Sequence, residues 1–184
     1  MHDPLTEARF RLGLCRPHTG LTGGSPRAHR QSSSQRKHPM VMNFDHTGIV
    51  VQDLEKITDF YVNTLGLAIE HEIDAVAPSE GDHTGFPGAR RTLRFVGIEN
   101  NHRIELVKYH NPPGEEGYLR KNQFGAMHIC FHVEDLQTIF DGLTAKGIEF
   151  VTDPIFRETP EGTRGIIYLQ DPEGNWLEFI QPPK

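Results

Sequence analysis

The feature that most constrains the fold is an internal repeat, because the second half of the chain restates the pattern of the first half. His46 lies seven positions before the pair Asp53-Leu54, and His128 lies seven positions before Asp135-Leu136. The segments 94–106 and 167–179 also align without a gap. A supersecondary unit repeated in tandem buries its apolar face against its own copy. The repeat therefore predicts two small modules that fold together, over about residues 43–110 and 125–182.

Each copy carries the pattern of one strand, one helix and three further strands. After each Asp-Leu pair, apolar residues recur at helical spacing, with an Asp placed to cap the start of the helix and Gly66 or Gly147 placed to end it. Short strands are expected over 67–72 and 148–152, and turn residues at 99–101 and 171–174 separate the last two strands of each copy. The sequence predicts an α+β fold of two tandem βαβββ modules that form a shared cleft.

Residues 1–41 differ in composition from the rest of the chain. They hold seven Lys/Arg and two Asp/Glu, are rich in Arg, Ser, Gly and His, and show no apolar period. Such a segment buries too little surface to offset its ordering entropy. We interpret it as a disordered basic tail or as a stretch upstream of a native start at Met40 or Met42. Organellar targeting is the minority interpretation, because Pro4, Gly13 and Pro17 interrupt the expected amphipathic helix.

Composition excludes several classes of function for residues 42–184, which we expect to be the folded domain. This part holds twelve Lys/Arg and 23 Asp/Glu, and its acidity argues against a nucleic-acid partner, because phosphate binding needs clustered basic side chains. No run of about 18 apolar residues predicts a membrane span. The two cysteines of the chain, Cys15 and Cys130, are too few for a disulfide scaffold, so we expect a reducing, cytoplasmic location.

Strand alternation predicts which side chains face the shared cleft. In each module the helix covers one face of the sheet, and residues two apart along a strand share a face. His46 and Glu105 of the first module and His128 and Glu178 of the second fall on the free face. A single His or Glu in a strand is usually solvated or hydrogen-bonded. Four ionisable groups that converge on a barrel interior are costly without a cation to pair them, so we interpret the four as metal ligands.

The donor set suits one divalent metal ion but does not identify the element. Two imidazoles and two carboxylates fit a borderline or hard cation, and Zn, Ni, Co, Mn and Fe all stay open. The same free faces carry candidates for a pocket that binds a small-molecule substrate, and these candidates are Arg103, Tyr109, His132 and Trp176.

The chain resembles the vicinal oxygen chelate superfamily, which includes glyoxalase I, the bleomycin-resistance proteins, methylmalonyl-CoA epimerase and the extradiol dioxygenases. The resemblance covers about residues 43–182. Its ordered motifs are the His-Thr-Gly-Ile-Val-Val-Gln-Asp-Leu run from His46, Phe60-Tyr61 before Leu-Gly-Leu, Arg103-Ile-Glu-Leu, Met127-His-Ile, and the Asp-Pro-Glu-Gly-Asn-Trp-Leu-Glu-Phe run from Asp171.

The resemblance implies a site and a reaction. The four metal ligands of glyoxalase I fall at the positions of His46, Glu105, His128 and Glu178. The family reaction moves a proton between adjacent carbons through a metal-stabilised enediolate, with Glu178 as the leading general base and Glu105 as its partner. A glyoxalase-like lyase or isomerase acting on a small oxygenated substrate is the function expected first. Superfamily members often dimerise, so a homodimer is expected.

Two departures from the glyoxalase I pattern bear on the substrate. Val50 stands where many glyoxalases I carry the Arg that holds a glutathione carboxylate, and Tyr109 stands where they often carry Asn. Three alternatives stay open: an epimerase of methylmalonyl-CoA or sugar-like type, an Fe(II) extradiol dioxygenase, and a binding protein of the bleomycin-resistance type. Glu105 is superfluous to the three-ligand iron site of a dioxygenase, and a sequestering cleft needs no metal.

Overall fold

The computed structural model describes residues 41, 43–99, 101–115, 117 and 119–184. Met42–Lys184 form one compact unit. The expectations for residues 1–41 concern a segment that lies, apart from Val41, outside the described residues. No helix in the described part of the chain is long and apolar enough to cross a membrane.

The two halves of the compact unit have the same order of elements, which confirms the predicted βαβββ repeat. In each half a strand leads into a helix, and three strands follow. The first module comprises β1 (His46–Val50), α1 (Leu54–Asp59) with a π-helical turn (Phe60–Thr64), β2 (Ala68–Val76), β3 (Arg90–Gly97) and β4 (Arg103–Asn111). The second comprises β5 (His128–His132), α2 (Leu136–Ala145), β6 (Ile155–Thr159), β7 (Gly162–Gln170) and β8 (Trp176–Gln181).

Each module forms its own four-stranded sheet with its first and last strands side by side. The strand order is β1-β4-β3-β2 in the first sheet and β5-β8-β7-β6 in the second. The first and last strands of each module run parallel, with His46 opposite Arg103 and His128 opposite Trp176. The equivalent residues of the repeat therefore hold equivalent places in the two sheets.

The helix boundaries follow the capping residues that the sequence predicted. The Asp53 carboxylate accepts a hydrogen bond from the backbone N–H of Lys56, and the Asp135 carboxylate accepts one from that of Thr138. Each bond satisfies a donor that the first turn of the helix leaves free. Gly147 follows the end of α2 with a φ of 81°, a conformation that glycine adopts without strain.

The expected strand over 148–152 is not formed, and the second strand of that module lies further along the chain. Phe150 makes only an isolated bridge to Leu169, and the regular strand is Ile155–Thr159. Pro154 separates the two segments, and a proline has no N–H to donate to a sheet. In the first module no proline intervenes, and β2 extends past the predicted end at 72 to Val76.

The modules are joined on their helix-covered sides, through one hydrophobic core. Ile57 and Tyr61 of the first helical segment lie in the same buried cluster as Leu169 and Leu177 of the second sheet. The turn before β8 adds polar contacts, because the Tyr61 hydroxyl donates to the Asp171 carboxylate across 3.3 Å. Glu173 of that turn accepts hydrogen bonds from the backbone N–H groups of residues 52 and 53.

Removal of the Tyr61 hydroxyl should destabilise the protein by about 1 kcal/mol at neutral pH, the usual size of one buried hydrogen bond. Tyr61 is fully buried, and its hydroxyl stabilises the charged form of Asp171, a group whose pKa burial raises above its usual value. The loss in Tyr61→Phe should therefore shrink as the pH falls through the pKa of Asp171 and the carboxylate is protonated. Urea unfolding of Tyr61→Phe at several pH values measures this.

The matched control is Tyr109→Phe, which removes a hydroxyl from a half-buried tyrosine of the same module. Equal destabilisation by the two substitutions, at every pH, would contradict the role given to the bond between Tyr61 and Asp171.

Candidate functional site

The free faces of the two sheets carry the residues that the strand alternation placed there. Along β1, His46, Gly48 and Val50 are exposed, whereas Thr47 and Ile49 between them are half-buried. Along β4, Ile104 and Leu106 are buried beneath the helix, and Glu105 between them points to the opposite face. The same alternation holds for β5, where His128, Cys130 and His132 are exposed.

The first half-site is the pair His46 and Glu105, on the parallel strands β1 and β4. The Nε2 atom of His46 lies 3.2 Å from a carboxylate oxygen of Glu105. Gly48 stands directly opposite Glu105, and a Cβ atom added to it would lie 3.3 Å from the same carboxylate oxygen. The small residue therefore leaves the space that the carboxylate occupies.

The second half-site is the pair His128 and Glu178, on the parallel strands β5 and β8. The Nε2 atom of His128 lies 3.1 Å from a carboxylate oxygen of Glu178, and Glu178 is buried. Tyr168 of β7 and Cys130 of β5 stand opposite Glu178 in the two neighbouring strands. Burial, and secondly the nearby Glu178, raise the pKa of Tyr168 to about 12 and that of Cys130 to about 11, so both keep their protons at neutral pH.

The distances within each half-site fit two neighbouring ligands of one metal ion. Zn–N and Zn–O bonds are about 2.1 Å long, so two ligand atoms at right angles around such an ion lie about 3 Å apart. The nitrogen and oxygen of the two pairs are 3.2 and 3.1 Å apart. Each half-site therefore presents one imidazole nitrogen and one carboxylate oxygen at a spacing that a divalent ion can bridge.

The described part of the chain does not bring the two half-sites together as one cluster of metal ligands. Among the described residues, no group of three or more His, Cys, Asp or Glu side chains is placed to hold a metal. The physical reason lies in the contact between the modules, which uses their helix-covered sides. The free faces do not close around a common ion, and Val50 on the first face keeps 54% of its surface exposed.

The four predicted pocket residues lie in different surroundings. Arg103 is occupied by Asp45, because one guanidinium nitrogen lies 2.7 Å from both carboxylate oxygens. Tyr109 packs against Phe86 at the far end of β4. His132 is exposed at the end of β5. Trp176 is half-buried and donates its indole N–H to the carbonyl oxygen of Leu119, across 3.2 Å.

A cavity of about 310 Å³ lies where β1 approaches the starts of β5 and β8. His128 lies in its wall, so the cavity reaches the second half-site. The rest of the lining is mostly apolar and includes Gly48, Val50, Leu119, Met127 and Trp176. A cavity of this size that borders polar groups matches the usual form of a small-molecule site.

Comparison with known proteins identifies the family. Residues 43–179 match the model of the glyoxalase/bleomycin resistance protein/dioxygenase superfamily. The chain belongs to this superfamily. A probable lactoylglutathione lyase from Synechocystis sp. is 31% identical over 136 residues, which cover 74% of this chain and 92% of that protein.

Two further matches extend the comparison within the superfamily. The mitochondrial methylmalonyl-CoA epimerase of Bos taurus is 29% identical over 135 residues, which cover 67% of this chain and 69% of that protein. The crystal structure of a glyoxalase family protein from Bacillus cereus superposes with a TM-score of 0.68 at 22% identity, and the match covers 82% of this chain and 99% of that chain. The structural match supports the fold of two βαβββ modules.

The sequence interpretation missed three residues that lie next to the half-sites of this superfamily member: Tyr168, Phe95 and Asp45. Tyr168 stands opposite Glu178 in the second sheet, as Phe95 stands opposite Glu105 in the first. The gapless alignment of 94–106 with 167–179 pairs Tyr168 with Phe95, so the repeat itself could have indicated both. Asp45 precedes β1, where strand alternation makes no prediction, and its contact with His46 emerges only from the structure.

Proposed function

We propose that this superfamily member is a divalent-metal-dependent lyase or isomerase of the glyoxalase I-like class, acting on a small oxygenated substrate. The observation that carries the proposal is the duplicated pair of one imidazole and one carboxylate, with nearly equal spacing in the two sheets. The likeness to a probable lactoylglutathione lyase supports the class of reaction. A cytoplasmic location is the companion expectation, drawn from the small number of cysteines.

The proposed metal ligands are His46, Glu105, His128 and Glu178. Zn, Ni, Co, Mn and Fe are all compatible with two nitrogen and two oxygen donors. One half-site alone supplies two ligands, whereas catalytic metal sites commonly use three protein ligands or more and keep a position open for water or substrate. A complete site therefore requires that a first half-site meet a second half-site.

We propose that a homodimer completes the site. The free faces of the two modules do not close on each other within a chain, so the first half-site of one copy can meet the second half-site of another. A two-fold axis then creates two equivalent sites, each with ligands from both copies, because an isologous interface repeats every contact. Exposed apolar residues on or beside the free faces, including Val50 and Met127, fit burial in such an interface.

The proposed chemistry is a proton transfer between adjacent carbons of the substrate. The bound metal ion supplies Lewis-acid polarisation of substrate oxygens. Glu178 takes the proton from one carbon and returns it to the next, and Glu105 is its partner. Glu178 is buried, with Tyr168 of β7 and Cys130 of β5 opposite it in the neighbouring strands.

A methylmalonyl-CoA-type or sugar-like epimerase is the second candidate. Val50 and Tyr109 stand at the two positions where glutathione-binding side chains would be expected, and the relatives include a methylmalonyl-CoA epimerase. An epimerase uses the same removal and return of a proton at carbon, so the proposed metal ligands and base serve either reaction. A panel of hemithioacetals, 2-methyl acyl-CoA thioesters and catechols separates these candidates and the dioxygenase alternative.

Metal analysis tests the ligand assignment. We expect one divalent ion per chain, and we expect each single Ala substitution of the four ligands to weaken metal binding by more than the roughly 10- to 100-fold that loss of an outer-shell partner costs. Elemental analysis and competition with a chromophoric chelator measure this. Full metal occupancy in the double variant His46→Ala/His128→Ala would refute the assignment.

Complementation between two inactive variants tests the shared site. One variant carries His46→Ala and Glu105→Ala, and the other carries His128→Ala and Glu178→Ala. A dimer of the two kinds of chain has one interface site with all four ligands and one site with none. Mixing the variants under conditions of subunit exchange should therefore restore tight metal binding to one site per mixed dimer, together with its activity.

The control for complementation is each variant alone, which should stay free of tightly bound metal. If each site were built within one chain, mixing would restore nothing. Sedimentation at micromolar concentration checks the assembly independently, and a species of only about 21 kDa, the mass of one chain, would contradict the dimer.

Glu178→Gln tests the base. The amide oxygen of Gln can still ligate a metal but cannot accept a proton in catalysis, so turnover should fall by about 10²- to 10⁴-fold while some metal is retained. Glu149→Gln, which removes the same charge from an exposed position of the same module, is the matched control. In deuterated water the unaltered protein should exchange deuterium into the reprotonated carbon. Oxygen-dependent turnover of catechols alone would overturn the proposed reaction class.

A further inference from the structure

The ring of His46 is held between two carboxylates that contact its two nitrogens. Nε2 lies 3.2 Å from Glu105, on the side where the proposed metal would bind. Nδ1 lies 2.7 Å from the carboxylate of Asp45. The shorter contact favours the tautomer with its proton on Nδ1, in which Nδ1–H donates to Asp45 and the lone pair of Nε2 points toward the metal position.

Arg103 holds Asp45 in this position. One of its terminal guanidinium nitrogens lies 2.7 Å from both oxygens of Asp45, and the group stacks over the ring of Phe95, with 5.2 Å from Cζ to the ring centroid. Glu70 contacts the other terminal nitrogen at 3.6 Å. Arg103 is the residue opposite His46 in the register of β1 and β4, so the strand pairing places the anchor beside the ligand.

The second module provides an internal comparison. Met127 occupies the position that Asp45 holds before the histidine, and Trp176 occupies the position of Arg103. The polar pair of the first module is thus replaced as a pair by two apolar side chains. The side chain of Trp176 also has a different partner from that of Arg103. Its indole N–H donates to the carbonyl oxygen of Leu119, in the segment that links the modules.

A histidine ligand gains from a carboxylate that accepts its second N–H. The acceptor fixes the tautomer, orients the ring and raises the basicity of the coordinating nitrogen, and its loss typically costs about 10- to 100-fold in metal affinity or activity. Asp45 is 66% exposed, and water competes with its hydrogen bonds. The effect expected here is therefore at the lower end of that range.

We propose that Asp45, anchored by Arg103, is a positioning residue that presents Nε2 of His46 to the metal, and that Arg103 serves this pair instead of binding a substrate anion. The inference rests on the proposed function for the role of the metal. The geometry of Asp45 and His46 itself can be tested without metal, which keeps the two propositions separate.

The first experiment reads the tautomer of His46 in the metal-free protein by the ¹⁵N shifts of the imidazole nitrogens, at alkaline pH where the ring is neutral. We expect His46 to carry its proton on Nδ1 in the unaltered protein. In Asp45→Ala the ring should shift toward the Nε2–H form, and His128 should be unchanged. A wild-type His46 with its proton on Nε2, or a tautomer that Asp45→Ala does not alter, would overturn the proposal.

The second experiment measures Zn²⁺ affinity by chelator competition for Asp45→Ala, Asp45→Asn and Arg103→Gln. Asp45→Ala should weaken binding by about 10-fold, the lower end of the range for an outer-shell partner. Asp45→Asn should lose less, because its amide oxygen still accepts the Nδ1–H bond. Arg103→Gln should also weaken binding. Asp153→Ala, which removes an exposed carboxylate from the loop before β6 of the second module, is the matched control, and it should keep wild-type affinity.

Kinetics separate the two roles of Arg103. If Arg103 bound a substrate anion, Arg103→Gln would raise KM and leave Zn²⁺ affinity and the His46 tautomer unchanged, and that result would overturn the positioning role. Loss of affinity with the tautomer shift supports it. Absence of binding of all five candidate divalent ions in the unaltered protein would refute the proposed function, whereas the tautomer measurement would still decide whether Asp45 positions His46. Melting temperatures of all variants exclude misfolding as the cause.

Discussion

The parallel pairing of the first and last strands of each module is the interaction on which the site depends. It places a histidine at the start of one strand beside a glutamate two residues into the other, and it does so in both sheets. The helix that connects the first strand to the rest of the module covers one face, so both side chains are left on the free face. Because the second module repeats this arrangement, the molecule contains two half-sites of nearly equal geometry.

The contact between the two modules leaves the faces that carry the half-sites free for a partner. The turn at 171–175 reaches the first helical segment through Asp171 and Glu173, and a shared apolar core lies behind both sheets. This contact stabilises the chain on the side away from the half-sites and leaves their faces accessible. Association of two such chains can form the proposed metal site without any change in the fold of a module. The proposed catalysis then depends on assembly.

The two modules have equal folds and unequal surroundings at their histidines. His46 has a carboxylate behind its ring and an arginine that anchors the carboxylate, whereas His128 has Met127 and Trp176 at the equivalent positions. The second half-site instead has Tyr168 and Cys130 opposite its glutamate in the neighbouring strands. The two half-sites therefore share the placement of one histidine and one glutamate and differ in the side chains around them.

The sequence by itself determined the repeat, the helix caps at Asp53 and Asp135, and the face on which each predicted ligand lies, because these depend on local periodicity and on hydrogen bonds between near neighbours. It misplaced the strand expected at 148–152, because the regular strand of the second sheet begins only after Pro154. Only the tertiary structure decided that the half-sites lie apart within one chain and that Arg103 binds Asp45. Strand alternation fixes the face of a side chain, but the contact between modules depends on residues more than 100 positions apart, such as Tyr61 and Asp171.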